Sequence, residues 1–149
     1  MSDERISGVA RGIVDANHYL TLATADADGR PWACPVWYAH DGYATFFWAS
    51  RPGARHSLNI GARPAVSAVI FDSSEPPGDV QAVYLEGVAE EIEAGEAAVA
   101  VYSGRTTARG LGAWRAADLT APAQHRLYRA RMADSFVLDG HDRRVPVAL

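Results

Sequence analysis

The sequence predicts an α+β protein, mainly β: a small antiparallel barrel of six to seven strands with short flanking helices. Three observations carry this reading. Short aromatic or β-branched segments recur along the chain. Gly, Asp and Pro turns separate many of them, at hairpin spacing. Only two or three stretches show helical spacing, and these are short.

The elements follow in order. Residues Asp3 to Asn17 read as a helix, with Ile6, Val9, Ala10, Ile13 and Val14 on one face and Ser2 or Asp3 as its cap. YLTLAT (Tyr19–Thr24), PWACPVWYA (Pro31–Ala39) and YATFFWA (Tyr43–Ala49) read as strands. The turns DADG and HDG separate them, which predicts a three-stranded meander. GARHSLNIGARP (Gly53–Pro64) reads as a short helix ended by Pro64, with Ala54, Ser57, Leu58 and Gly61 at helical spacing. AVSAVIF (Ala65–Phe71) is an apolar strand. The strand Val80–Ile92 follows a Pro- and Ser-rich loop, and Gly87 within it marks a bulge or bend. Glu93–Gly104 reads as a helix packing Val99, Val101 and Tyr102, and Arg105–Trp114 as irregular. His125–Met132 fits helix or strand. Ser135–Asp139 and Arg144–Leu149 flank a GHD turn and form a hairpin.

Composition bounds the function. At 149 residues with 48% apolar content, one domain spanning 1–149 is expected. No apolar run is long enough to span a membrane, and the polar start lacks the layout of a secretory signal, so a cytoplasmic protein with no membrane partner is expected. A net charge of −4 argues against nucleic-acid binding. The one cysteine, Cys34, excludes an internal disulfide and a cysteine metal cluster. Its strand context reads as a small buried hydrophobe rather than a nucleophile. The five histidines lack metal-ligand spacing, so no metal is expected. All fourteen basic residues are arginine, so an anion site must use arginine, histidine or backbone N–H groups.

The sharpest feature is SRPGARHSLNI (Ser50–Ile60), a strand end, a turn and a helix start. A helix N-terminus offers unpaired N–H groups and a positive dipole end. Arg55 and His56 in its first turn are locally unfavourable unless an anion offsets them. With the Ser50 and Ser57 hydroxyls they read as a phosphate seat; the alternative is a solvated surface loop. Pro35 implies an edge strand or a bulge that leaves backbone groups open to a planar ligand. Trp32, Trp37, Tyr38 and Trp48 are either core or flat walls around such a ligand.

The order of these motifs resembles the pyridoxamine 5′-phosphate oxidase-like family of FMN-binding split β-barrels. The resemblance runs through Asp26–Trp37, Phe46–Ser50, Arg55-His56, Asn59-Ile60 with Pro64, and Leu85-Glu86-Gly87 with Ala89. It implies a split antiparallel barrel and a homodimer with cofactor at the interface. The implied chemistry is FMN-dependent hydride transfer to or from a small-molecule substrate, with F420 as an alternative cofactor and a non-catalytic flavin- or haem-binding protein as a further alternative. It implies that the backbone at Cys34, Pro35, Val36 and Trp37 lines the flavin ring. Trp48, Ala49 and Ser50 lie beside the ribityl chain, Arg55 and His56 hold the phosphate, and Gln81 or Ala82 faces the ring. No residue is implied as a conventional acid or base. His56 stands where the family usually has lysine, and the family namesake's arginine-rich substrate tail has no clear counterpart.

Overall fold

The computed structural model describes residues 2–78 and 82–149. Gln81, and the expected strand start at Val80, lie outside the described residues.

The chain forms α1 (Asp3–Ala16), β1 (Tyr19–Ala25), β2 (Pro31–Trp37), β3 (Ala39–Asp41), β4 (Thr45–Ser50), α2 (Arg55–Ala62), β5 (Ala65–Phe71), β6 (Ala82–Ile92), α3 (Glu96–Ala108), β7 (Arg126–Leu138) and β8 (Arg144–Pro146), with a 3₁₀ turn at Ala116–Leu119. The strands form one antiparallel eight-stranded sheet in the order β2-β1-β5-β6-β7-β4-β3, with β8 added to β7. The sheet curls into a half-barrel. This is the expected α+β class, mainly β.

The expected three-stranded meander does not form. β1 pairs with β2, β3 pairs with β4, and the two hairpins occupy opposite ends of the sheet. The chain leaves one hairpin for the other at Tyr38. Its side chain is fully buried, its hydroxyl donates to the Val14 carbonyl at 2.6 Å, and its N–H donates to the His18 carbonyl at 3.2 Å. Tyr38 is therefore tied through its hydroxyl to α1 and through its N–H to the residue before β1. The expected HDG turn shifts with it: His40 and Asp41 are strand, and the turn centres on Gly42 and Tyr43, both with left-handed φ near +60°.

Ser2 caps α1 by accepting the Arg5 N–H at 3.3 Å. Ala10 and Val14 are its buried stripe, with Ile6 and Ile13 at the margin and Val9 exposed. α3 runs past its expected end, because residues expected to be irregular continue the helix and bury Thr106. The ambiguous His125–Met132 segment is strand, fused with Ser135–Leu138 into the thirteen-residue β7. The β6–β7 register shifts at Glu86/Gly87. A Cβ at Gly87 would stand 2.0 Å from the Arg131 carbonyl oxygen, so the bulge requires glycine.

The main core fills the inside of the curl, where Leu20, Leu22, Phe46, Trp48, Ile70 and Leu85 meet under α1. A second cluster, with Phe47, Val99, Tyr102, Leu119 and Leu127, seats α3 against β3 and β4. Among the described residues no helix is long and apolar enough to cross a membrane.

Candidate functional site

The strand–turn–helix unit forms as the sequence implies, but its side chains divide into an outward and an inward set. β4 ends at Ser50, a turn closes with the Ala54 N–H on the Arg51 carbonyl at 3.1 Å, and α2 begins at Arg55. No side chain caps α2, and its first turn holds no acidic residue. Its leading N–H groups are therefore available to an anion.

Arg55 is the outward group. Its guanidinium carbon lies 4.2 Å from the centroid of the Trp32 ring. Trp32, 39% exposed, sits on β2 at the end of the sheet. The contact is a cation–π stack that holds a long side chain in one place. Across the β1–β2 turn, the Arg30 N–H, against desolvation, and then the Asp28 N–H and the Arg30 and Arg55 charges hold the Asp26 carboxyl below its ordinary range.

His56 is the inward group. It is only 7% exposed, and its Nε2 lies 2.8 Å from Ser50 Oγ. Burial pushes its pKa down. The ring is thus neutral near pH 7 and bound to a residue expected beside it in the site. A lysine here would need its charge in water or on an anion. Asn59, also buried, donates from Nδ2 to Thr24 Oγ1 at 3.1 Å and pins α2 to β1. The buried face of α2 is thus His56, Ser57, Asn59 and Ile60, and the expected Leu58 is exposed. Polar residues take the inward face because β1 and β4 offer partners for His56 and Asn59.

On β2, Cys34 is half-buried, Pro35 exposed and Val36 buried. Burial pushes the Cys34 thiol up, so it is a poor nucleophile near neutral pH. Trp37 is half-buried and meets Tyr102 edge-on at 5.9 Å. Tyr102 stands against Trp114 in turn, and burial pushes its phenol up to about 12. Ala49 packs into the same cluster. Trp48 and Tyr38 are fully buried and belong to the core, so of the four aromatics weighed as walls only Trp32 and Trp37 reach the surface. The alternating pleat decides this: Trp48 shares its face with Phe46 inside the curl.

One polar cluster had no clear sequence signal. Asp15, at the end of α1, accepts from the Tyr43 hydroxyl at 2.6 Å and lies 2.9 Å from His40 Nε2. The Tyr43 N–H donates to His40 Nδ1, which places the ring proton on Nε2. Partial burial opposes ionisation of Asp15, yet the bonds from Tyr43 and His40 hold its carboxyl below the usual range. Asp15 is 25 positions from His40 and 28 from Tyr43, and only the fold brings it to them.

The sequence profile described as pyridoxamine 5′-phosphate oxidase matches residues 6–136. No curated protein matches significantly. Among solved structures, HutZ, a haem storage protein from Vibrio cholerae, superposes with a TM-score of 0.71 at 21% identity, over 91% of this chain and 97% of that one. A haem-binding protein from Mycobacterium smegmatis superposes at 0.73 with 26% identity, over 99% of this chain and 58% of that longer one. An F420 reductase superposes at 0.57 with 22% identity, over 79% of this chain and 88% of that one. The family profile covers most of the chain: the chain belongs to the pyridoxamine 5′-phosphate oxidase family.

Proposed function

We propose that this chain is an FMN-binding oxidoreductase that moves a hydride to or from a small molecule, with residues 1–149 as one flavin-binding unit. The observation that carries the proposal is the uncapped start of α2 with Arg55 held on Trp32 beside it. Free N–H groups, a positive dipole end and a guanidinium together suit a phosphate. FMN, when bound, supplies a ring that accepts and releases hydride. The chain's own part is to hold and orient it. Arg55 and the first N–H groups of α2 take the phosphate. The backbone of the edge strand β2 at Cys34, Pro35 and Trp37 lies against the ring. Val36 and Trp48 contribute backbone only, since their side chains are buried.

His56 does not replace a family lysine as a second cation. Neutral and held by Ser50, it fixes the β4–α2 turn. Arg55 is then the main side-chain charge on the phosphate. A phosphate-bearing deazaflavin such as F420 suits the same seat, and the F420 reductase of the same fold supports that alternative.

The chain acts as a homodimer in this proposal. Large apolar side chains stay exposed on the sheet face turned away from the core, among them Tyr19, Phe71 and Val88. A second copy covers them and closes the cofactor site.

Haem binding is the competing reading, favoured by the two haem proteins of the same fold. Against it, three of the five histidines have ring nitrogens engaged: His56 with Ser50, His40 with Asp15 and His18 with Arg109. The deciding experiment is the absorption spectrum of the purified protein, with the released cofactor identified by mass. FMN or F420 supports the proposal and a Soret band replaces it with haem. Failure to bind any of the three on titration refutes it.

A further inference from the structure

A second cleft lies between α2 and the β6–β7 ribbon, on a different face of α2 from Arg55. It encloses about 410 Å³. One wall is Ser57, Ile60 and Gly61 of α2; the other is Glu90, Glu91 and Tyr128. A side chain at Gly61 would meet nothing within 4 Å, so the cleft is open down to the helix backbone there.

Three features give the cleft its chemistry. The first is a buried acceptor. Ser57 is 6% exposed, lines the cleft, and its Oγ makes no hydrogen bond of ordinary geometry. It lies beside the Tyr128 hydroxyl, which donates to Glu91 Oε1 at 3.1 Å. Burial pushes the Tyr128 phenol up and the neighbouring Ser57 hydroxyl pulls it back. With its proton turned toward Tyr128, the buried Ser57 oxygen still has acceptor capacity that no donor fills, and this marks a place for a ligand N–H.

The second is the charge balance. Glu90 is ion-paired with Arg129 and lies in the field of Arg131. Arg126 is turned to the carbonyls of Ala123 and His125, at 2.6 and 2.8 Å. Glu91 faces the cleft, where its carboxylate accepts from the Tyr128 hydroxyl. The third is the helix. The cleft runs toward the negative end of α2, whose last turn holds no basic residue. Arg63 at its C-cap reaches instead to the Ala27 carbonyl at 2.9 Å.

We propose that this cleft binds a small monocationic alkylamine. An ammonium group has three donors and no acceptor, which suits the Glu91 carboxylate and the Ser57 oxygen. Ile60, Pro52 and Pro64 offer an apolar wall to the alkyl stem. A metal ion does not fit: among the described residues no group of three or more His, Cys, Asp or Glu side chains could hold one. The site stands whether or not Arg55 holds a phosphate.

The test is a titration of the ¹⁵N-labelled full chain with n-pentylammonium chloride, followed by amide shifts at Ser57, Gly61 and Glu91. Saturable shifts with a Kd of about 10 mM or tighter are expected. Glu91→Gln, which keeps the side-chain volume, is expected to weaken binding about fivefold or more, and Ser57→Ala about twofold. 1-Pentanol and pentanoate are expected to leave these amides unshifted. Non-saturating shifts matching those from sodium chloride overturn the proposal. So does equal binding of pentanol, or an unchanged affinity in a Glu91→Gln variant that melts like the parent.

Discussion

Replacing Trp32 with alanine tests the proposed phosphate seat without touching a charge. Arg55 stacks on Trp32 at 4.2 Å, and the indole is 39% exposed, so the pair is a surface cation–π contact. Such contacts contribute about 0.5–1 kcal/mol. Part of that is conformational, since a free arginine must be ordered before it can bind an anion. Removing the ring is therefore expected to weaken FMN binding about two- to fivefold. Arg55→Ala removes the charge-assisted hydrogen bond itself, about 1.5–3 kcal/mol, or roughly a ten- to hundredfold loss. The assay is quenching of flavin fluorescence, run with FMN and with riboflavin, which lacks the phosphate. If Trp32 works through Arg55, riboflavin binding is unchanged in the Trp32→Ala variant. The Trp32→Ala effect on FMN is then also absent in the Arg55→Ala background. A Trp32→Ala loss of equal size for both ligands means that Trp32 is a wall of the ring site. Additive losses in the double variant refute the coupling.

Three other perturbations follow from the same geometry. Gly87→Ala places a methyl 2.0 Å from a backbone oxygen that cannot move alone, so a loss of about 3 kcal/mol or more is expected in urea unfolding. A loss below about 1 kcal/mol would show that the bulge can slide. Burial lowers the His56 pKa from its ordinary 6.5 in the native state. The unfolded chain then binds the proton more readily, so His56 contributes stability in full above about pH 6.5, and this is lost as pH falls through the lowered native value. The melting temperature of His56→Gln is expected to fall less than the parent's between about pH 7 and 5, and parallel curves would falsify that assignment. Tyr43→Phe deletes the 2.6 Å bond to Asp15 and is expected to cost about 1 kcal/mol. It also moves the Asp15 pKa upward, read by carboxyl NMR, and an unmoved Asp15 would show that His40 and Arg105 suffice to hold it low.

The legible parts of this protein are those set by neighbours in sequence. β5 lies where its apolar run places it, α2 is bounded within two residues by its turn and Pro64, and the Gly87 bulge is marked by one residue. What sequence order alone could not show is which strands meet. The stretch from Tyr19 to Ala49 reads as one meander because its turns are local, yet the hairpins separate because Tyr38 finds α1. The same limit applies to β7, whose two halves read as separate segments until β6 pairs along both of them.

The proposed phosphate seat divides in the same way. Arg55 and His56 are adjacent, so composition treats them as one basic pair. A helix turns about 100° per residue, and that rotation sends the two in different directions. Arg55 reaches β2 and water; His56 enters the interior and meets Ser50. A histidine tolerates that position because it can be neutral at little cost, whereas a lysine would have to extend to the surface or to an anion. In the proposed site His56 therefore has a different job from the lysine that the family resemblance implies there. It gives the turn an internal hydrogen bond and leaves Arg55, steadied by Trp32, as the main charge facing out. The strength of phosphate binding should accordingly depend on the Trp32–Arg55 stack rather than on His56, whose buried ring is turned to Ser50 and held toward its neutral form.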